Sequence, residues 1–132
     1  MKSLDEIIAF RLRKSSESLE AARALKANGY WNIVVSRLYY AAFYAVSALL
    51  LKEGINSKSH NGIKSKFNEL FIKTGRVDES LGTVYNKLFK YRLEGDYTDF
   101  VVFDEEEIMP LFSKTEDLLQ KLRELILDDK TV

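Results

Sequence analysis

Four side chains in this sequence combine charge or proton-transfer chemistry with an unusual setting: Arg37, His60, Arg92 and Tyr97. Arg37 lies inside the apolar segment SRLYYAAFYA, and Arg92 lies in the segment YRLEGDYTDF. A guanidinium is planar and stays charged at neutral pH, so it suits phosphate groups and carboxylates. His60 is the only histidine, and its side chain can transfer protons near neutral pH. These residue types indicate a phosphate-binding site and a candidate proton-transfer group.

Each of these residues also has a structural interpretation that the sequence leaves open. Arg37 can pair with a carboxylate such as Glu94 or Asp96, because an unpaired buried charge is costly. Arg92 can interact with the carboxyl end of its own helix. His60 can cap or pack the first turn of a helix. The sequence therefore allows both a binding role and a structural role for all three side chains.

The composition narrows the chemistry. The chain has no cysteine, which excludes disulfides and cysteine-based metal sites, and a single histidine cannot build a multi-histidine site. The patterns GxxxxGK[ST], HExxH, GxSxG and GxGxxG do not occur. We expect no metal site and no cofactor. The candidate ligand-binding residues are Arg37, Tyr40, Lys58, His60, Arg92, Asp96 and Tyr97.

The charge is balanced overall but uneven along the chain. Twenty basic and twenty acidic residues give a net charge of zero. Residues 52–76 carry six bases against two acids (+4), and residues 94–132 carry twelve acids against four bases (−8). The basic segment is either a phosphate-binding surface or a solvated face. The acidic segment argues against nucleic acid wrapping around the whole surface, because phosphate is repelled there.

The elements that must position these residues are helices. Apolar residues recur at steps of three and four through most of the chain, which is typical of one helical face. The second helix is apolar on nearly every side, so we expect it to be central. The first two predicted helices cover residues 4–28 and 30–52, and the third is capped by Ser57 or Ser59 and ends at Gly75. The fourth begins at Asp78 or Ser80 and ends at residues 92–95. The fifth begins at Asp104, or at Met109 if Pro110 prevents the earlier start.

The pattern predicts an all-α fold, an antiparallel up-and-down bundle of four to five helices in one domain spanning residues 1–132. Residues 95–103 are the exception and are expected to form an ordered loop packed on the core. The most apolar stretch, residues 30–51, is long enough to cross a bilayer. Arg37 interrupts it, and a charge at mid-bilayer is costly, so we expect a cytoplasmic protein without a membrane partner.

Four segments together resemble one known family. They are NGYWNIVVSRLYYAAFYAVSALLLKEGI, KSHNGIKSKFNELFIKTG, LGTVYNKLFKYRLEGDYTDF and FDEEEIMPLFSKTEDLL. In this order they are similar to small stand-alone members of the HEPN family (higher eukaryotes and prokaryotes nucleotide-binding domain). The resemblance implies a helical bundle that forms a homodimer. It also implies a minimal nucleotidyltransferase as a partner, often in a toxin–antitoxin pair.

Active members of that family are metal-independent ribonucleases with an arginine and a histidine separated by four to six residues. The arginine matches Arg92, but Tyr97 stands where the nearest histidine would be. Tyrosine, with a pKa of about 10, is a poor base at neutral pH. A tyrosine that some members carry two places after that histidine is matched here by Asp99. His60 substitutes for the histidine only if the third helix reaches the same cleft.

The resemblance and its departures lead to three functional hypotheses. The first is a HEPN module that binds a nucleotide, an RNA or a nucleotidyltransferase, with Arg37 and Arg92 lining a dimer cleft. The second is a metal-independent ribonuclease toxin that uses Arg92 with Tyr97 or His60. The third is a helical dimer with a structural role alone. The missing motif histidine favours the first.

Overall fold

The computed structural model describes residues 2–128, and this part of the chain is helical with short connections and contains no strand. The all-α prediction is therefore confirmed. A π-helical segment, Asn68–Ile72, continues α3 without a break. The helices are α1 Leu4–Lys26, α2 Trp31–Lys52, α3 His60–Phe67, α4 Glu79–Tyr97 and α5 Glu105–Leu127.

Helix α2 is the centre of the bundle, as its composition predicts, and it packs against α1, α3, α4 and α5. It is the one helix of residues 2–128 that is long and apolar enough to cross a membrane, but 67% of the apolar window is buried inside the bundle. One stripe of α2 remains only partly covered. That stripe comprises Ile33, Ser36, Arg37, Tyr40, Phe43 and Tyr44.

Hydrogen bonds between helices show that α1 runs antiparallel to both α2 and α5. Ser15 donates to the carbonyl of Ala41 at 2.7 Å, and Arg11, one turn earlier, donates to Ser47, further along α2. On the other side, Arg23 pairs with Glu116 at 2.9 Å, whereas the carbonyl of Leu12 accepts from Arg123. These pairings are those of the predicted up-and-down bundle.

Side-chain caps fix where the helices begin. Ser3 and Asp104 each form a capping box, with Glu6 and Glu107 respectively, and so satisfy amide groups that the first turn leaves free. Asp78 caps α4 by accepting from the amide of Ser80. Each of these caps accepts a hydrogen bond within the first turn, and replacing one such side chain by alanine lowers the free energy of unfolding by about 1 kcal/mol. At α3, Ser59 rather than Ser57 is the cap.

One predicted boundary, the end of α4, is wrong, and at the start of α5 the structure shows the first of the two predicted alternatives. Helix α4 continues to Tyr97 instead of ending at residues 92–95, so Gly95 lies within the helix, where its missing Cβ leaves room for the ring of Phe103. Helix α5 begins directly after Asp104, with Pro110 inside it, rather than at Met109. Proline removes one amide donor in the second turn, and the capping box at Asp104 offsets that loss.

Asn32 at the start of α2 holds the loop between α4 and α5. Its side chain donates to the carbonyl of Val101 and accepts from the amide of Phe103, both at 2.8 Å. Between these anchors and α4, Phe100 has a positive φ of 68° and its side chain is 99% exposed. The loop is therefore ordered and attached to the core, as predicted, but it begins at Thr98 and presents one apolar ring to solvent.

Candidate functional site

Arg92 is the buried charge of α4, with only 8% of its surface exposed. One terminal nitrogen donates to the hydroxyl of Tyr40 on α2 at 3.1 Å. The carboxylate of Asp96, one turn along α4, lies 3.4 Å from Nε, although too poorly aligned for a hydrogen bond. The helical spacing of Arg92 and Asp96 thus supplies a counter-charge, and α2 supplies a neutral acceptor.

Three tyrosine rings surround the same guanidinium. Its carbon lies 5.2 Å from the ring centre of Tyr39, 5.4 Å from that of Tyr40 and 5.8 Å from that of Tyr97. A guanidinium at these distances is attracted by the ring faces. Tyr97 is 73% exposed, so the arginine is enclosed on the α2 side and open beside Tyr97.

His60 reaches the same pair of tyrosines from α3. It is the first residue of that helix, directly after the cap Ser59. Its Nδ1 lies 2.6 Å from the hydroxyl of Tyr39, and its ring stacks on Phe43 with centroids 4.3 Å apart. The ring of Tyr40 lies 6.0 Å away. The condition for a substitute histidine is therefore met, because α3 brings His60 to the tyrosines that hold Arg92.

We call the group formed by Tyr39, Tyr40, His60, Arg92 and Asp96 the Arg92–His60 cluster. Burial lowers the pKa of His60, and the positive charge of Arg92 lowers it further. His60 is consequently neutral at pH 7. Burial raises the pKa of Tyr39 to about 12, so its hydroxyl keeps its proton. Burial opposes the charge of Arg92, but the Tyr40 hydrogen bond and the neighbouring tyrosines outweigh it and raise the pKa of Arg92.

These protonation states define what the cluster can do. The neutral imidazole either accepts a hydrogen bond from the Tyr39 hydroxyl at Nδ1 or donates one from Nδ1 to the Tyr39 oxygen. In the second tautomer Nε2 carries a free lone pair and can act as a base. Arg92 supplies a permanent positive charge close by. A base and a fixed cation are what phosphodiester chemistry without a metal requires.

Two other predicted residues, Arg37 and Lys58, lie outside the Arg92–His60 cluster. Arg37 stacks on Tyr40 at 5.1 Å. Its expected carboxylate partners are engaged elsewhere, since Asp96 pairs with Arg92 and Glu94 pairs with Lys90, so the structural interpretation of Arg37 is wrong. Lys58 is exposed in the turn before α3 and makes no ion pair among residues 2–128.

Two contributors to the site escaped the sequence analysis as individual residues. Tyr39 lies in the apolar segment SRLYYAAFYA and has no charged neighbour in the sequence except Arg37, yet it is the hydrogen-bond partner of the histidine. Phe43 provides the surface on which that histidine stacks. The available signal was their spacing, since Tyr39 and Phe43 are four residues apart and share one face of α2. No group of histidine, cysteine and carboxylate side chains able to hold a metal ion occurs within residues 2–128.

Comparisons with known proteins agree with this architecture. The family model for the HEPN domain matches residues 8–125. A UPF0332 protein of Thermotoga maritima is 40% identical over 98% of this chain and 98% of its own length. Two proteins of Methanocaldococcus jannaschii that are named as candidate toxins are 35% and 33% identical. They cover 88% and 80% of this chain, and 79% and 78% of their own lengths.

The matched range runs from the first helix to the last and includes both residues that define the cluster. The central apolar helix and the buried arginine of α4 both lie within the matched range. With a family model that covers nearly the whole sequence, the chain belongs to the HEPN domain family.

Proposed function

We propose that this protein is a toxin-like HEPN protein that binds RNA at the Arg92–His60 cluster and cleaves it without a metal ion. The observation that carries the proposal is the meeting of His60 and Arg92 around Tyr39 and Tyr40. His60 takes the role that the sequence position of Tyr97 leaves empty. The names of the two candidate toxins from Methanocaldococcus jannaschii support the same direction.

The proposed reaction is attack of a ribose 2′-hydroxyl on the adjacent phosphorus. Nε2 of His60 accepts the hydroxyl proton, the oxygen–phosphorus bond forms, and the bond to the 5′-oxygen breaks. The leaving 5′-oxygen takes a proton from a water molecule, and the hydroxide left behind takes the proton from Nε2 of His60, which restores the neutral imidazole. The products are a 2′,3′-cyclic phosphate and a 5′-hydroxyl. Arg92 stabilises the negative charge that gathers on the phosphate oxygens during the attack.

A second candidate function is RNA or nucleotide binding without cleavage, as a partner module of a minimal nucleotidyltransferase. The observation that favours it is the engagement of Arg92, which is 8% exposed and already held by Tyr40 and Asp96. An arginine held in this way can bind a phosphate at its open edge beside Tyr97, but it does not move with that phosphate during a reaction.

We further propose a homodimer that joins through the apolar surface next to the cluster. This surface lies at the start of α2, the end of α4 and the loop that Asn32 anchors. Exposed apolar side chains adjoining a polar site are typical of an interface. Its residues are Tyr30, Ile33, Leu93, Tyr97, Phe100 and Val102.

The test measures RNA cleavage by the purified protein in EDTA, with detection of the cyclic phosphate end. His60→Asn and Arg92→Gln are expected to abolish cleavage. The matched control is Lys90→Gln, which removes one positive charge from the same helix at an exposed position whose only ion pair within residues 2–128 is with Glu94. Circular dichroism establishes that each variant is folded.

Each outcome separates the candidates. Cleavage that survives in His60→Asn overturns the assignment of the base. RNA binding that needs Arg92 but is never followed by cleavage replaces the ribonuclease with the binding module. If the folded parent protein binds neither RNA nor a nucleotide, both candidates fail.

A further inference from the structure

A second cationic site lies away from the cluster, along the seam between α1 and α2. Lys14, Glu17, Ser18 and Ala21 of α1 and Arg37 and Tyr44 of α2 line a small cavity of about 180 Å³. Lys14, Arg37 and Tyr44 are half-buried, and Glu17 is the acidic residue of the lining. We call this the α1–α2 seam.

Among the described residues, the two cations of the seam have no counter-charge. Lys14 lies over the ring of Phe10 at 5.4 Å, and Arg37 lies over the ring of Tyr40 at 5.1 Å. Within residues 2–128 neither has a carboxylate within 4.0 Å, and this includes Glu17. Half-buried cations without an anion attract one from solution more strongly than solvated surface charges do.

Arg11 extends the seam by one further turn of α1. It is half-buried, it donates to the hydroxyl of Ser47, and burial lowers its pKa. No carboxylate lies within 4.0 Å of Arg11 in the described part of the chain. Three cations therefore follow one another along a single helix–helix groove, with Glu17 as the acidic residue of its lining.

The seam is continuous with the Arg92–His60 cluster through one ring. Tyr40 has Arg92 at 5.4 Å and Arg37 at 5.1 Å from its centre. The ring of Tyr44 follows at 6.2 Å from that of Tyr40. Cations and aromatic rings thus alternate from the cluster into the seam, in the pattern by which proteins hold single-stranded nucleic acid, with phosphates on the cations and bases stacked on the rings.

We infer that the α1–α2 seam is a second phosphate subsite for a single RNA strand whose reactive phosphate occupies the Arg92–His60 cluster. The inference rests on the proposed function, because it extends the RNA site rather than replacing it. It specifies the substrate as an unpaired strand several nucleotides long. A ribodinucleotide has a single internal phosphate, so it can place a phosphate in the cluster or in the seam but not in both.

The experiment compares a labelled single-stranded RNA decanucleotide with a ribodinucleotide, both 2′-O-methylated so that the parent cannot cleave them, each titrated into the parent protein and into Lys14→Gln, Arg37→Gln and the double variant. Binding is measured over a series of salt concentrations in EDTA. Arg13→Gln is the matched control, since it removes the same charge from the neighbouring position of α1, on an exposed face beside Phe10.

We expect each seam variant to bind the decanucleotide several-fold more weakly, and the double variant roughly tenfold or more. The slope of log affinity against log salt should become shallower by about 0.7 for each phosphate that the variant no longer neutralises. Dinucleotide binding, and its dependence on Arg92, should stay unchanged in every seam variant. Arg13→Gln should bind the decanucleotide as the parent does.

Equal loss of affinity in Arg13→Gln and in the seam variants would show an unspecific charge effect and overturn the inference. The inference would also be overturned if the double variant bound the decanucleotide as tightly as the parent while Arg92→Gln did not bind it. The proposed function would then remain without the second subsite. Failure of the parent to bind either RNA overturns both.

Discussion

The hydroxyl of Tyr39 and Nδ1 of His60 lie 2.6 Å apart, and this contact joins the central helix to the first residue of α3. Tyr39 is completely buried, so the position of its oxygen is fixed by the core rather than by solvent. The histidine ring is fixed in turn, with Phe43 against its face. With Nδ1 occupied, Nε2 is the ring nitrogen that remains for a substrate.

The first prediction concerns Tyr39→Phe, which removes this hydroxyl and keeps the ring. We expect RNA cleavage to fall by about 10- to 100-fold, because the imidazole loses the partner that selects its tautomer and orientation. The free energy of unfolding should fall by about 1 kcal/mol, the usual value for one buried hydrogen bond. Cleavage in EDTA and urea unfolding measure the two effects.

Tyr85→Phe is the matched control for Tyr39→Phe. Tyr85 is equally buried and its ring lies 6.1 Å from that of Tyr39; its hydroxyl lies close to that of Tyr39 but is too poorly aligned for a hydrogen bond. Removal of an unsatisfied buried hydroxyl should leave the stability unchanged or raise it. If both variants lose cleavage to the same degree, the Tyr39–His60 contact has no special role.

The second prediction is a pH dependence of stability that belongs to His60. Burial and the charge of Arg92 lower the pKa of His60 in the folded protein below the unfolded value of about 6.5. The unfolded chain therefore takes up the proton first as the pH falls. The contribution to stability is complete above about pH 6.5 and is lost as the pH falls through the folded pKa.

Urea unfolding of the parent and of His60→Asn at a series of pH values isolates this effect, because the carboxylates titrate in both proteins. The stability of the parent relative to the variant should decrease as the pH is lowered from neutral toward about 5. The same lowered pKa should keep His60 active as a base at slightly acidic pH. A stability difference that is constant with pH would contradict the assigned environment of His60.

The helices were predictable because each one buries a face with a regular period, and the caps Ser59, Asp78 and Asp104 mark where three of them begin. The end of α4 was not, since Gly95 indicates a helix end unless the ring of Phe103 is known to pack against it. Pro110 left two possible starts for α5, Asp104 and Met109, because the sequence alone does not show whether this helix accommodates a proline in its second turn.

The sequence predicted the arginine of the site but not the arrangement of the side chains around it. Arg92 follows from the family motif, but His60 lies on a different helix, and only the packing of α3 on α2 brings it to the same tyrosines. Periodicity assigns Tyr39 and Tyr40 to one apolar helix without showing that one ring contacts the histidine and the other the arginine. Contacts between helices distant in the chain depend on the complete packing arrangement.

The third prediction concerns Asn32, the anchor of the loop between α4 and α5. Asn32→Ala removes two hydrogen bonds and leaves the Val101 carbonyl and the Phe103 amide without their partner. We expect a decrease of about 2 kcal/mol in the free energy of unfolding. Hydrogen exchange of the Phe103 amide should become faster, because this loop then opens locally.

Asn28→Ala is the control for Asn32→Ala, since Asn28 lies in the exposed turn just before α2. Its stability should change by less than about 0.5 kcal/mol. If the Phe103 amide exchanges at the same rate in both variants, the loop is held by its apolar contacts and not by Asn32.

The fourth prediction places His60 under the control of Gly62. A Cβ at position 62 would lie 2.7 Å from Oγ of the cap Ser59 and would collide with Oγ of Ser57. Gly62→Ala should therefore displace the cap, whose hydrogen bond to the Gly62 amide measures 2.9 Å, and destabilise the protein by about 1 kcal/mol. Because His60 follows Ser59 directly, cleavage should fall as well.

The double variant Gly62→Ala/Ser57→Ala tests this explanation, since removal of the Ser57 hydroxyl relieves the closer of the two collisions. It should recover part of the stability and part of the cleavage rate, and the two recoveries should be correlated. Ser65→Ala, at an exposed position of α3, controls for alanine in this short helix. Recovered stability without recovered cleavage would contradict the prediction. It would mean that the collision destabilises the turn but is not the reason for the loss of cleavage.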